Sequence, residues 1–299
     1  MRTYTYLYMD ALKRNTSTID STRKKTCTTA TQNMTNFIRQ PAVAGMFYPG
    51  DKTELHLSVD TYLQEALQKQ AEPNEVPKAI IVPHAGYIYS GPVAASAYAR
   101  LLPARDQIHR VVLLGPSHRV PFRGLASSSA THFVTPLGQV ALDRELIEQL
   151  ESFPQVTRLD QAHALEHSLE VHLPFLQEVL ADFTLVPLVV GDTRPQDVAE
   201  ILEAAWGGPE TLIVISSDLS HYHDYATAQK MDQATSRAIE ALQPEDIQYD
   251  DACGRNPVNG LLELARRKGL HATTVDLRNS GDTAGPRDQV VGYGAYVIN

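Results

Sequence analysis

From residue 38 onward the sequence predicts an α/β fold: one domain with a central mixed, mainly parallel sheet and helices on both faces. Short apolar, β-branched runs recur at 76–82, 111–115, 183–190 and 211–215. Runs that are apolar throughout, with no alternation, mark strands buried on both faces of a parallel sheet. Segments with helical spacing of apolar residues separate them, which is the alternation expected of this fold class. Finally, histidines gather where the runs stop: His84, His118 and His221 all follow a predicted strand within a few residues.

The elements follow in order. Pro41 to Pro49 reads as a packed entry loop, and Lys52 to Gln68 as an amphipathic helix through Leu55, Val59, Leu63 and Leu67. The strand 76–82 ends at Pro83, and Pro92 is placed to open a helix reaching Leu102, since proline suits a first helical turn. After the strand 111–115, the more polar stretches 125–129 and 138–142 suggest an edge hairpin, and Asp143 caps a helix to Leu150. Phe175, Leu176, Val179 and Leu180 form a helical face, and a helix from Asp197 to Trp206 precedes the strand 211–215. Helices over 224–242 and 257–268 and strands over 271–278 and 290–298 close the chain.

Composition sets the bounds. With 299 residues, 43% of them hydrophobic and 20% charged, the chain can bury a substantial core. A net charge of −9 argues against a nucleic-acid surface, and no run approaches the ~18 apolar residues of a membrane span. Cys27 and Cys253 are the only cysteines, so no disulfide framework is implied and a reducing cytoplasm is expected. Residues 1–35 are rich in Thr and carry six Lys/Arg against Asp10 and Asp20. They show no period, so they are expected to form a disordered extension to a domain over 36–299. A transit peptide fits this segment less well than translation beginning at Met34.

The candidate chemistry lies at the strand ends. His84 and His118 are candidate imidazole ligands for a first-row metal. Asp218 and His221 read either as a carboxylate ligand with a base or as a carboxylate that orients the ring, if the backbone is already winding into the next helix. An Asx turn at Asp218 is the alternative. Cys253, in a Gly/Asn/Pro loop, is a ligand, a reactive thiol or a small apolar filler. His163 and His167 would share one face of a helix, and Glu166, His167 and Glu170 could hold the rim together by hydrogen bonds. The turn Asn279-Ser-Gly-Asp282 is a weaker candidate for a substrate carboxylate or phosphate. No phosphate-binding or dinucleotide glycine pattern occurs, and no Gly-x-Ser-x-Gly elbow.

Six stretches carry a specific resemblance: Pro41-Ala-Val-Ala-Gly-Met-Phe-Tyr-Pro49, Pro83-His-Ala-Gly-Tyr-Ile-Tyr-Ser-Gly91, Leu114-Gly-Pro-Ser-His118, Glu166-His-Ser-Leu-Glu170, Ser216-Ser-Asp-Leu-Ser-His-Tyr222 and Cys253-Gly254. From about Arg39 to Ile298 the chain resembles the Memo family, also called AmmeMemoRadiSam system protein B. The resemblance implies the fold of class III extradiol dioxygenases, non-haem iron enzymes. It implies His84, His118 and Cys253 as the residues lining a metal pocket, with Fe(II) or copper as the ion, and His221 as acid/base beside Asp218. The dioxygenases' carboxylate ligand has no obvious counterpart, and Cys253 stands near that role, so ring cleavage does not follow from the likeness. Partnership with an AMMECR-type protein and a radical SAM enzyme is also implied. Three function classes remain open on this reading: a metal-dependent redox enzyme, a binding protein that uses the same pocket without turnover, and a carrier for a redox-active ion.

Overall fold

The computed structural model describes residues 37–70 and 75–299; the expectations for residues 1–35 fall outside them. After strand β1 (Ile38–Arg39) comes helix α1 (Lys52–Lys69), capped by the Asp51 carboxylate, which accepts the N–H groups of Thr53 and Glu54. There follow β2 (Ala79–Val82), α2 (Tyr87–Tyr98), β3 (Arg110–Pro116), β4 (Leu125–Ser127), β5 (His132–Thr135) and β6 (Gly138–Ala141). Then come α3 (Arg144–Leu150), β7 (Val156–Arg158), α4 (Asp160–Ala164), α5 (Leu173–Val179) and β8 (Thr184–Val190). The chain ends with α6 (Pro195–Ala204), β9 (Thr211–Ser216), β10 (His221–His223), α7 (Tyr225–Glu240), α8 (Arg255–Lys268), β11 (Ala272–Asn279) and β12 (Val290–Ile298).

The large sheet runs β10-β12-β2-β9-β3-β8-β4-β7, with β11 also paired to β12. Its centre, β2-β9-β3-β8, is parallel, and β12 closes antiparallel on β2. Residues 79–82 and 211–216 are buried throughout, as an apolar run without alternation requires. The sheet is therefore mixed, with a parallel core flanked by helices, and the predicted class holds.

Two local expectations are corrected. The stretches 125–129 and 138–142 do not form a hairpin with each other. Strand β4 joins the main sheet between β8 and β7, whereas β6 pairs with β5, which in turn pairs with β1 in a small separate sheet. Thr135-Pro-Leu-Gly138 is the tight connection that sets this pairing, and the half-buried alternation of His132–Thr135 was the signal missed. Helix α2 starts at Tyr87 instead of Pro92, which lies inside it. The proline forfeits only the N–H that would reach the Ile88 carbonyl, and Ser90 N–H already bonds Gly86 O one turn earlier.

A buried ion pair ties the entry loop to the later loop at 163–170. Arg39 Nη1 lies 2.7 Å from Glu170 Oε2. Glu170 also accepts the N–H groups of Ala42 and Val43 and the Tyr48 hydroxyl. Arg39 also donates from Nε and Nη2 to the carbonyls of His163 and Glu166. Glu170 is thus the rim-holding residue its position suggested, and it fixes the loop that carries His167.

Candidate metal centre

Strands β2, β9 and β3 are consecutive in the sheet, and each delivers a polar residue two positions past its last residue. His84 follows Val82, Asp218 follows Ser216 and His118 follows Pro116. The carboxyl ends of neighbouring parallel strands are where an open α/β sheet collects its ligand groups. Because β9 lies between the other two strands, His84 and His118 turn toward each other over its end. Their ring centroids are 5.1 Å apart.

Each imidazole is oriented by a partner on its Nδ1 side. The Ser216 hydroxyl donates to the Ser168 carbonyl at 2.6 Å, so its lone pair accepts the Nδ1–H of His84, also at 2.6 Å. That places the proton on Nδ1 and leaves Nε2 with its lone pair. His118 presents Nδ1 to Glu166 Oε1 at 2.9 Å, and its backbone N–H bonds Oε2 at 2.6 Å. A carboxylate or hydroxyl behind the imidazole is the usual companion of a metal-ligating histidine. Burial alone would raise the pKa of Glu166. The hydrogen bonds from His118 and the Ser168 backbone outweigh it and hold the carboxyl at about 2.

The third imidazole is His167. Its ring stacks on His118 at 4.7 Å and meets His84 edge-on at 5.5 Å. Ligand atoms of His84, His118 and His167 all lie within 4.8 Å of one another. Burial lowers the pKa of His84 well below its ordinary value, and neighbouring His118 lowers it further. For His167 the same two causes bring it to about 4. Both rings are therefore neutral at pH 7, the form that binds a metal.

Cys253 stands beside this triangle. Its Sγ is 3.3 Å from His84 Nε2 and accepts the Asp218 N–H at 3.3 Å. Burial, with the Asp218 charge, pushes the thiol pKa far up, so the sulfur is a protonated thiol here. The glycine after it is required: a Cβ on Gly254 would come within 2.4 Å of the Ser216 carbonyl oxygen. This close approach seats the Cys253 turn against the end of β9.

Asp218 accepts the His84 backbone N–H at 2.7 Å, and burial pushes its pKa up to about 6 against the pull of His221. Its Oδ2 is 4.0 Å from His84 Nε2, but His84 is neutral, so this is a contact and not an ion pair. His221 lines the same cavity, of about 1190 Å³, on extended β10. The backbone after Asp218 does not wind into a helix, as the orienting role had required, because helix α7 begins only at Tyr225. Among the described residues Asp218 therefore makes no hydrogen bond to His221, whose charge instead pulls the Asp218 pKa down.

His163 lies elsewhere. It is buried, with Nε2 3.0 Å from the Ala126 carbonyl and its ring edge-on to Phe133. Helix α4 ends at Ala164, so His163 and His167 do not share a helical face. In the turn at 279–282, Asn279 accepts the Gly281 N–H and Asp282 accepts the Asn279 N–H and the Tyr225 hydroxyl, while Ser280 accepts the Val291 N–H and lines the cavity. His167 was expected as a rim-holding residue or as half of a helical pair with His163, and not as a member of this cluster. No strand precedes it, and the only local signal was its place in the Glu166–Glu170 run.

What the fold and site define together is an α/β protein with a histidine cluster at the carboxyl rim of its parallel strands. A family model described as Memo-like protein matches residues 39–297, and the chain belongs to that family. A MEMO1 family protein from Aquifex aeolicus is 40% identical over 86% of this chain and 97% of its own length. One from Saccharolobus islandicus is 35% identical, covering 85% and 97%. One from Methanobrevibacter smithii is 34% identical, covering 87% and 99%. Among solved structures, an uncharacterized protein from Escherichia coli K12 aligns with a TM-score of 0.48 at 16% identity, over 75% of this chain and all of that one.

Proposed function

We propose that this Memo-family chain is a metal-dependent redox protein that holds one ion over its parallel strand ends, Fe(II) first and copper second. The observation that carries the reading is the convergence of three imidazoles, two of them with Nδ1 tied to Ser216 and Glu166. The ligand atoms all lie within 4.8 Å of one another, near enough for one ion to approach all three. His84 and His118 are the core of the ligand set. Cys253, beside His84, and His167, stacked on His118, compete for the third place. A bound ion would supply Lewis acidity and a redox couple at the floor of the cavity. The chain's own groups would do the rest. His221, which lines the same cavity, accepts a substrate proton and returns it, and the buried Asp218 carboxylate holds His84 through its backbone N–H.

One observation favours a second reading. A thiol 3.3 Å from a ligand nitrogen is a soft donor suited to Cu(I), which supports carriage of copper without turnover. Residence in the cytoplasm and partnership with an AMMECR-type protein and a radical SAM enzyme belong to the same proposal, and co-purification would test the latter.

Metal analysis of the anaerobically purified chain decides the main point. Stoichiometric iron that reacts with oxygen only when substrate is added supports the enzyme. Reversible Cu(I) transfer that Cys253→Ser abolishes supports the carrier. A metal-free protein that rebinds neither ion sinks both. Loss of Fe(II) in His167→Gln, with retention in Cys253→Ser, would assign the third place to the imidazole.

A further inference from the structure

Among the described residues only Tyr222 and Leu242 have positive φ without being glycine. Leu242 has an ordinary cause: it follows helix α7 and helps to close its last turn, with Gln243 N–H bonding the Ala238 carbonyl. Tyr222 has none of this kind. Its φ is 60°, and it sits at an irregularity in the β10–β12 pairing, between His221 opposite Val291 and His223 opposite Val290. A bulge of this sort re-aims side chains. Here His221, Tyr222 and His223 all line one cavity, where a regular strand would alternate them.

The β10–β12 pairing on either side holds this backbone, but no hydrogen bond of the Tyr222 side chain among the described residues offsets its strain. A left-handed tyrosine costs on the order of 1 kcal/mol or more and persists where the surroundings or a function demand it. Yet the Tyr222 side chain is 70% exposed. Among the described residues its hydroxyl has no hydrogen bond, and its only ring contact is an edge-on one with His221 at 5.8 Å. Around the same mouth stand Met46, 73% exposed, and Tyr249, 62% exposed, with Phe47 and Tyr89. Of these, the Phe47 ring packs on His167 at 4.7 Å and the Tyr249 ring carries the Arg255 guanidinium at 3.7 Å, whereas Met46 and Tyr222 offer the freest apolar surface.

We infer that Tyr222 is a specificity residue: its strained backbone aims the ring into the mouth to cover a planar aromatic group of a ligand seated over the histidine cluster. The inference rests on the metal reading of that cluster. An aromatic face fits a ring because offset and edge-to-face pairs gain beyond simple burial, and thioether sulfur adds contacts at a ring edge. The phenol hydroxyl contributes nothing that the structure shows.

The test uses two ligands with one chelating group, benzohydroxamate and acetohydroxamate, titrated calorimetrically into the full chain loaded with redox-silent Zn(II). Wild type should bind benzohydroxamate more tightly. Tyr222→Gly should weaken benzohydroxamate by roughly 3- to 10-fold and leave acetohydroxamate unchanged, while Tyr222→Phe retains both affinities. Unliganded Tyr222→Gly should also melt a few degrees higher, because glycine accepts the left-handed conformation without strain. Equal loss for both ligands, no loss for benzohydroxamate, or a lower melting temperature overturns the inference and leaves the metal site standing. A wild-type chain that holds neither zinc nor Fe(II) nor Cu(I) overturns the metal reading, and this inference with it.

Discussion

Glu166 grips His118 twice, taking its backbone N–H at 2.6 Å and its ring Nδ1 at 2.9 Å with separate carboxylate oxygens. The same carboxylate accepts the backbone N–H groups of His167 and Ser168. One buried side chain therefore orients a ring from β3 and shapes the loop that brings in a second ring. Glu166→Gln preserves the volume but replaces one acceptor with an NH₂ donor. Metal affinity, measured by competition with a chelator, should fall roughly 10- to 100-fold. Unchanged affinity would show that Glu166 serves the fold alone.

His221 separates catalysis from metal holding. His221→Gln should leave bound metal nearly unchanged and lower any turnover by roughly 10²–10⁴-fold, the usual size of an acid–base contribution. His84→Gln, which removes the ring fixed by Ser216 at 2.6 Å, should empty the site. Metal loss in both variants would make His221 a ligand and favour carriage over catalysis.

Arg39 and Glu170 lie almost wholly out of water, with side chains 4% and 0% exposed. Arg39→Met leaves the Glu170 charge buried without its partner and two carbonyls without donors. The expected loss is about 3–5 kcal/mol, read from urea unfolding at pH 7. A loss below about 1 kcal/mol would mean that Tyr48 and the Ala42 and Val43 amides satisfy Glu170 unaided.

Between about pH 4 and 6.5 two groups of residues pull stability in opposite directions. Burial lowers His163 and His167 to about 4 and His172 to about 3, and it lowers His84 as well. In this window the unfolded chain binds protons at these histidines that the folded chain does not. Their contribution is fully present above the ordinary histidine pKa and is lost as pH falls. Burial raises Asp218 and Asp232 to about 6, so these two remain protonated in the fold after they ionise in the unfolded chain, and they cost stability as pH rises. Four histidines against two carboxyls leave a net gain from pH 4 to 6.5. Asp232→Asn should steepen that gain by removing one opposing proton, by up to about 1.4 kcal/mol per pH unit. Urea midpoints at pH 4, 5, 6 and 7 check both slopes, and a wild-type stability that falls toward pH 6.5 would contradict the assignment.

The sequence by itself determined the architecture and the strand-end residues. A run such as Thr211 to Ile215 has no polar face, so it can only be a strand covered on both sides, and whatever follows it must emerge at a rim. His84, His118, Asp218 and His221 were legible for that reason, and Cys253 was legible through its motif. What tertiary structure decided was which of them meet. The insertion of β9 between β2 and β3 brings the histidines together over Ser216, and strand order is a long-range property that local period does not encode. His167 enters through a loop held by Arg39 and Glu170, 131 residues apart in the chain. The strained Tyr222 exists only because β12 pairs with the residues on either side of it. Local pattern sets which face of an element is buried; pairing between distant segments sets what that face is buried against, and the site lies in the second.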